Sequence, residues 1–209
     1  MTVNGRFITL EGGEGVGKST QARRLAEALR ERGHDVTLTR EPGGSPGAEA
    51  IRALLLEGGV DRWTAEGEAL LFAAARADHV ARTIKPALER GSWVLCDRFL
   101  DSSIAYQGGA GGLGMDAIRR LHDVGSGGFL PDRTLLLALP AEAAAERAQL
   151  RDGNAGDRMA AKGAEYHARV AAAFQELARA EPERFRIVDA SGSAEAVTER
   201  LLSALEDLL

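Results

Sequence analysis

The chain has 209 residues, of which 44% are hydrophobic and 27% are charged, as expected for a soluble domain with a sizeable core. The formal net charge of −5 argues against a nucleic-acid-binding protein, which usually carries a basic surface. The single cysteine, Cys96, excludes an internal disulfide framework. The sequence shows neither a signal-peptide hydrophobic region nor an apolar run of membrane-spanning length, so we expect a cytoplasmic protein that binds neither nucleic acid nor membrane.

Short β-type runs alternate with longer helical patterns, which indicates βαβ units and a parallel sheet. The predicted strands are residues 6–11, 35–40, 92–97, 133–139 and 185–189. The predicted helices are residues 18–32, 47–57, 65–90, 115–124, 141–151, 160–180 and 193–208. Because no linker, repeat or low-complexity tract divides the chain, we predict one α/β domain over residues 1–209, with a five-stranded parallel sheet flanked by helices.

A phosphate-binding loop follows the first predicted strand. Residues 12–19 read GGEGVGKS and match the P-loop pattern G-x-x-x-x-G-K-S/T at a strand–helix turn, where the mechanism requires it. Backbone N–H groups and the positive end of the next helix then face the phosphates of a nucleotide. The predicted ATP- and phosphate-binding residues are Gly12, Gly13, Glu14, Gly15, Val16, Gly17, Lys18, Ser19 and Thr20. The loop predicts a P-loop NTPase fold, in which Lys18 reaches the β- and γ-phosphates.

Two positions suit a magnesium ion. Ser19 occupies the hydroxyl position of the P-loop, and Asp97 ends the apolar run 93–96. In P-loop proteins such an acid at the end of a neighbouring strand helps to hold Mg²⁺. Ser19 and Asp97 are therefore the predicted metal ligands, with Mg²⁺ as cofactor.

A second glycine motif lies at residues 109–114 (GAGGLG), with Asp132 further along the chain. It matches the G-x-G-x-x-G dinucleotide fingerprint. Residues 101–107 do not have the pattern of the buried strand that must precede such a motif. We therefore reject a dinucleotide site and expect a mobile glycine loop beside the active site.

Other P-loop classes fit less well. A G-protein needs Asn-Lys-x-Asp to bind guanine, and neither Asn4 nor Asn154 precedes a lysine. Motors and multi-subunit ATPases usually need a longer chain. A small kinase fits best. A kinase for another nucleoside monophosphate or for a nucleoside stays open as an alternative, and so does a non-catalytic nucleotide-binding regulatory module.

Several separated motifs, spread over essentially the whole chain, resemble those of bacterial thymidylate kinases. They are residues 39–44 (TREPGG), 71–76 (LFAAAR), 97–99 (DRF) and 102–108 (SSIAYQG). The resemblance implies transfer of the γ-phosphoryl group of ATP to dTMP, giving dTDP and ADP for dTTP synthesis. It also implies a homodimer.

The resemblance further implies which residues bind dTMP: Glu14, Pro42, Arg52, Phe72, Arg76, Arg98, Ser103, Tyr106 and Gln107. Phe72 is expected to stack on thymine, and Arg76 to bind its O4 edge. Glu14 would accept a hydrogen bond from the 3′-hydroxyl group, and Arg98 would bind the acceptor phosphate. The others are assigned as follows: Ser103 and Gln107 to the base edge, Tyr106 to the 2′ position, Pro42 to the base pocket and Arg52 to the phosphate.

Residues 147–160 resemble the lid of the family, with Gly153 and Gly156 as hinges. Because residues 13–16 contain no arginine, the resemblance is to the type in which lid arginines stabilise the transferring phosphoryl group. Here those would be Arg151 and Arg158, although the segment also reads as an ordinary solvated helix–loop–helix. The predicted catalytic residues are thus Lys18, Arg98, Arg151 and Arg158. No general base is expected, because the acceptor phosphate oxygen is already anionic.

Overall fold

A computed structural model describes residues 5–152 and 158–209, and the side chains of residues 151 and 152 lie outside this description. Five parallel strands form one sheet in the order β2-β3-β1-β4-β5, which confirms the predicted fold class. The strands are β1 Phe7–Glu11, β2 Val36–Arg40, β3 Trp93–Asp97, β4 Arg133–Ala138 and β5 Phe185–Asp189. Each agrees with its predicted range to within one residue at either end.

The α-helices of the described chain lie on both faces of the sheet. They are α1 Lys18–Glu31, α2 Pro46–Leu56, α3 Ala65–His79, α4 Lys85–Glu89, α5 Leu100–Ser103, α6 Met115–Ser126, α7 Ala141–Asp152, α8 Ala164–Ala180 and α9 Ala194–Ser203. Two π-helical segments, Val80–Ile84 and Ile104–Ala110, join α3 to α4 and extend α5. Among the described residues, no helix is both long and apolar enough to cross a membrane.

The central strand β1 is buried on both faces because its side chains alternate between two cores. Phe7 belongs to a cluster with Phe99 and Phe174. Ile8 and Leu10 point the other way, into a cluster around α1 and α9. This burial holds the carboxyl end of β1 in the middle of the sheet. The strand order reverses there, and parallel α/β sheets bind their ligands at such a point.

The predicted helix 65–90 is not one regular α-helix. It changes to a π-helical turn at Val80–Ile84, where the N–H of Lys85 donates to the carbonyl of Val80. Pro86, in the first turn of α4, has no N–H with which to continue the α-helical hydrogen-bond pattern. The sequence prediction passed over this proline.

The expectation of a mobile loop at residues 109–114 is wrong for residues 109 and 110, which are helical. Ile104–Ala110 is a mostly buried π-helical segment that packs against α8. A Cβ added at Gly109 would lie 2.8 Å from Cβ of Ala173, so the glycine allows close helix packing. Helical residues, not a strand, precede these glycines, in agreement with the rejection of a dinucleotide site.

Candidate active site

The P-loop links the end of β1 to the start of α1. Gly15 and Gly17 have φ angles of 73° and 92°, in the left-handed region that favours glycine. A Cβ at Gly15 would also overlap the backbone oxygen of Ala144, because α7 passes directly over the loop. The turn therefore favours glycine at both positions, and the close approach of α7 also requires it at Gly15.

Lys18 is buried beneath this loop, where its ammonium group donates to the carbonyl of Gly13 at 2.5 Å. Burial, followed by the positive charge of Arg98, lowers the pKa of Lys18 to about 8, although Glu14 and Asp97 oppose the shift. An arriving anionic phosphate would favour the charged form again. The lysine is thus set to respond to a phosphate ligand.

The two predicted metal ligands lie together. Ser19 Oγ donates to Asp97 Oδ2 at 2.5 Å, joining the start of α1 to the end of β3. Hydroxyl and carboxylate oxygens are ligands that Mg²⁺ prefers. In the described part of the chain, no group of three or more His, Cys, Asp or Glu side chains could hold a metal. The oxygen atoms of Ser19 and Asp97 fit a magnesium ion, whose remaining ligands would come from phosphate and water.

Arg98 brings the predicted acceptor-phosphate residues together. It has a φ of 68°, the one positive value at a non-glycine residue in the described chain. Its Nη2 donates to Glu14 Oε1 at 2.5 Å, and its Nη1 donates to the carbonyl of Gly12 at 3.0 Å. Tyr106 lies beneath the guanidinium at 5.1 Å and donates to the same Glu14 oxygen at 3.1 Å. Burial disfavours the charge of Arg98, but Glu14 and the other acidic groups around it together raise the pKa of this arginine.

The predicted base-binding residues form a second group, on α3 and the helical segment after β3. Arg76 and Phe72 are four residues apart on α3, which places both on one helix face. Arg76 Nη2 donates to Ser103 Oγ at 2.7 Å. Gln107 is buried and donates to Glu68 at 2.8 Å, while Arg52 Nη1 donates to the carbonyl of Pro42 at 2.6 Å.

One cavity of about 720 Å³ joins the two groups to the P-loop. The predicted residues that line it are Glu14, Gly15, Val16, Gly17, Lys18, Ser19, Thr20, Pro42, Arg52, Phe72, Arg76, Asp97, Arg98, Ser103, Tyr106 and Gln107. Gly12 and Gly13 do not line it, but their carbonyl groups accept from Arg98 and Lys18. The cavity is as large as a typical small-molecule site.

The structure does not bring Arg158 to this cavity. Its side chain is completely buried, and Nη2 donates to Glu68 Oε2 at 2.5 Å. Nε and Nη1 donate to the carbonyl groups of Leu55 and Val60. The sequence could not show this, because Glu68 lies 90 residues away along the chain. The arginine predicted to contact the phosphoryl group instead anchors the end of the lid to α2 and α3. The side chain of Arg151, the other predicted lid arginine, lies outside the described residues.

Sequence reasoning missed the acid that supports Arg98. Glu11, at the end of β1, is completely buried. Its carboxylate accepts from Phe99 N at 2.8 Å and from Ser102 Oγ at 2.5 Å, and Ser102 in turn accepts from Arg98 Nη1. Burial, followed by the charge of Asp101, raises the pKa of Glu11 to about 8. The position of Glu11, an acid at the end of an apolar strand, was the sequence signal that could have identified it. Arg147 was also missed as a cavity residue, although it lies in the predicted lid.

A phosphate loop, a serine–aspartate pair suited to Mg²⁺ and an arginine-lined cavity on a parallel sheet are typical of P-loop nucleotide kinases. Residues 10–201 match the family model described as thymidylate kinase. The chain is 66% identical over 206 residues to a thymidylate kinase of Rhizorhabdus wittichii, covering 98% of this chain and 99% of that protein. It is 53% identical to one of Caulobacter vibrioides, covering 93% and 92% of the two chains.

A crystal structure of thymidylate kinase from Ehrlichia chaffeensis superposes with a TM-score of 0.78 at 31% identity, covering 97% of this chain and all of that one. The chain belongs to the thymidylate kinase family. This membership confirms that it is an enzyme, and it supports ATP-dependent phosphorylation of dTMP to dTDP rather than a non-catalytic regulatory role.

The buried position of Arg158 predicts a structural effect for Arg158→Met. The substitution removes a buried cation from Glu68, which keeps its contacts with Lys162 and Gln107, so we expect the free energy of unfolding to fall by about 1–3 kcal/mol. Urea unfolding measures this change. The matched control is Arg169→Met, which breaks an exposed pair with Glu165 and should cost less than about 1 kcal/mol. Unchanged stability with a large fall in kcat would instead assign Arg158 to the reaction.

The raised pKa of Glu11 predicts a pH dependence of stability. Between its usual value near 4.5 and about 8, the folded chain holds a proton on Glu11 that the unfolded chain releases. The stability contributed by this proton is therefore lost as the pH rises through that window. Glu11→Gln stays neutral at every pH. The melting temperature of this variant, relative to that of the wild type, should therefore rise between pH 6 and pH 8. The exposed Glu27→Gln is the control, and parallel melting curves for Glu11→Gln and wild type would contradict the prediction.

Proposed function

We propose that this enzyme transfers the γ-phosphoryl group of ATP directly to the phosphate of dTMP, with the residues of the 720 Å³ cavity in the roles given below. The observation that carries the proposal is the continuity of that cavity. It runs from Lys18 of the P-loop, past Arg98, to Phe72 and Arg76 of the base pocket. A single cavity of this kind can hold a donor and an acceptor end to end.

The donor lies on the P-loop side. Backbone N–H groups of the loop and the start of α1 face its phosphates, and Lys18 adds its charge. Ser19 and Asp97 would hold Mg²⁺, which when bound neutralises charge on the phosphate oxygens. Arg147 and Gly192 also line the cavity, and we place the donor base beside them.

The acceptor phosphate binds at Arg98, assisted by Arg52. Arg98 is held from several sides before the substrate arrives, so little ordering is left for the binding step. Glu14 lies between Arg98 and Tyr106, where it can accept a hydrogen bond from the 3′-hydroxyl group of dTMP. Tyr106 closes the space near the 2′ position. Because the attacking oxygen is already anionic, positioning and charge neutralisation suffice.

The base lies against Phe72 with its edge towards Arg76, and Pro42 covers it. Thymine offers the O4 carbonyl oxygen to the guanidinium, whereas cytosine offers an amino group that would face the donors of Arg76. Ser103 and Gln107 lie on the same side and complete the recognition of the edge. This pairing of donor with acceptor is our basis for a preference for dTMP.

We also propose a homodimer located in the cytoplasm. Leu70 on α3 and Val124 on α6 are 57% and 90% exposed, and the two helices pack against each other. Exposed apolar side chains on adjoining helices suit an interface between two copies of the chain. Sedimentation measurements at micromolar concentration would test the assembly. The buried free thiol of Cys96 suits a reducing compartment.

Replacement of Lys18 by Ala should abolish phosphoryl transfer and leave the fold intact, because the ammonium group contacts one loop carbonyl and otherwise faces the cavity. Circular dichroism and a coupled assay for ADP measure fold and turnover. Lys85→Ala, at an exposed position outside the cavity, is the control and should keep wild-type turnover. A folded Lys18→Ala variant with near-normal turnover would contradict the proposed donor site.

Replacement of Arg76 by Ala should lower kcat/KM for dTMP by about ten- to a hundred-and-fifty-fold, the cost of a lost hydrogen bond to a charged group. The preference for dTMP over dCMP should narrow, while the KM for ATP should hardly change. Arg82→Ala is the matched control, because Arg82 lies on the same helical run but is exposed and pairs with Asp78. If Arg76→Ala kept the full preference, thymine recognition would lie elsewhere in the cavity.

A further inference from the structure

Arg76 is buried to an unusual degree for a residue that lines a cavity, with 2% of its surface exposed. A charge in this position needs a partner. The partner is Glu41, which follows β2 and is 6% exposed. Arg76 Nε donates to Glu41 Oε2 at 2.8 Å, across 35 positions of sequence.

Glu41 is itself held from the opposite side. The Nδ1–H of His79 donates to Glu41 Oε1 at 3.0 Å, and Nε2 of the same ring lies 2.8 Å from Thr39 Oγ1. His79 is completely buried. A chain of contacts thus runs from Thr39 on β2, through His79 on α3, to Glu41 and on to Arg76. Both carboxylate oxygens are engaged, so the carboxylate cannot turn away from the arginine without losing a buried contact.

The planar guanidinium is fixed along two of its edges. Glu41 engages Nε, while Nη2 donates to Ser103 Oγ at 2.7 Å and to the carbonyl of Phe99 at 3.3 Å. Among the described residues, Nη1 makes no hydrogen bond. Because the group is rigid, fixing Nε and Nη2 also fixes the direction of Nη1. Nη1, with its two N–H groups, is thereby left in a set orientation at the wall of the cavity.

We propose that Glu41 is a positioning residue which, by fixing the orientation of Arg76, sets the preference of the enzyme for a pyrimidine with a carbonyl acceptor over one with an amino group. The proposal rests on the proposed contact between Arg76 and the base. Glu41 acts through the arginine and not on the substrate. The contacts of His79 and Thr39 hold the carboxylate in place for this task.

The test measures kcat and KM for dTMP, dCMP and ATP in Glu41→Ala and Glu41→Gln. Alanine removes the acceptor for Arg76 Nε, so KM for dTMP should rise by about tenfold or more and the preference over dCMP should narrow. Glutamine keeps an oxygen acceptor and should recover much of the preference. The kcat with dTMP and the KM for ATP should stay within about twofold of wild type. Glu49→Ala is the control, because Glu49 makes an exposed pair with Arg40 near the same edge of the sheet.

A second comparison separates positioning from general support of the fold. In the Arg76→Ala background, adding Glu41→Gln should leave the dTMP-to-dCMP preference unchanged, because the group through which Glu41 acts is absent. This double variant also removes the buried unpaired charge, so it stays informative even if Glu41→Ala fails to fold. A further loss of preference in the double variant would overturn the proposal.

The outcomes also distinguish this proposal from its premise. If Arg76→Ala keeps the preference, the proposed base contact itself fails. If Arg76→Ala narrows the preference but folded Glu41→Ala and Glu41→Gln retain it, the contact stands and the role of Glu41 is overturned. A merely structural role for Glu41 would lower the melting temperature and reduce turnover of both nucleotides alike, without changing their ratio. That result too would overturn the proposal.

Discussion

Two buried arginines of the described chain, Arg76 and Arg158, and the partly buried Arg98 each meet a carboxylate, and the architecture of the site follows from these pairs. Arg76 pairs with Glu41, Arg98 with Glu14 and Arg158 with Glu68. A guanidinium in a desolvated position is strongly destabilising without a partner. Each pair joins parts of the chain that are distant in sequence, so the pairs also fix how the helical segments lie on the sheet.

The pairs differ in what they leave for a ligand. Arg98 and Arg76 line the cavity and are held by their carboxylate partners, which in the proposed mechanism would preorganise them for binding. Arg158 does not line the cavity and instead donates to Glu68 and to two backbone carbonyl groups. Glu68 also accepts from Gln107, a residue of the base pocket. The end of the lid is therefore linked to Gln107 of the cavity through the carboxylate of Glu68.

The parallel sheet makes these arrangements possible because the carboxyl ends of its strands meet at one edge. The P-loop follows β1, and Glu41 follows β2. Asp97 ends β3, and Arg98 comes directly after it. Glu11, buried at the end of β1, then ties the loop to the residues after β3 through Phe99 and Ser102. The P-loop and the arginine-lined part of the cavity thus follow neighbouring strands of one sheet.

The sequence by itself determined the features that depend on local pattern: the strand–loop–helix of the P-loop, the alternating apolar strands, the i, i+4 spacing of Phe72 and Arg76, and the motifs of the family. It did not determine which carboxylate each arginine meets, because burial and pairing arise only when distant segments pack. The sequence predicted Arg158 as a lid arginine that contacts the phosphoryl group, whereas in the folded chain it donates to Glu68. The sequence assigned no role to Glu41, which lies in a family motif, or to His79. Their contacts with each other and with Arg76 form only when the end of β2 packs against α3 in the folded chain.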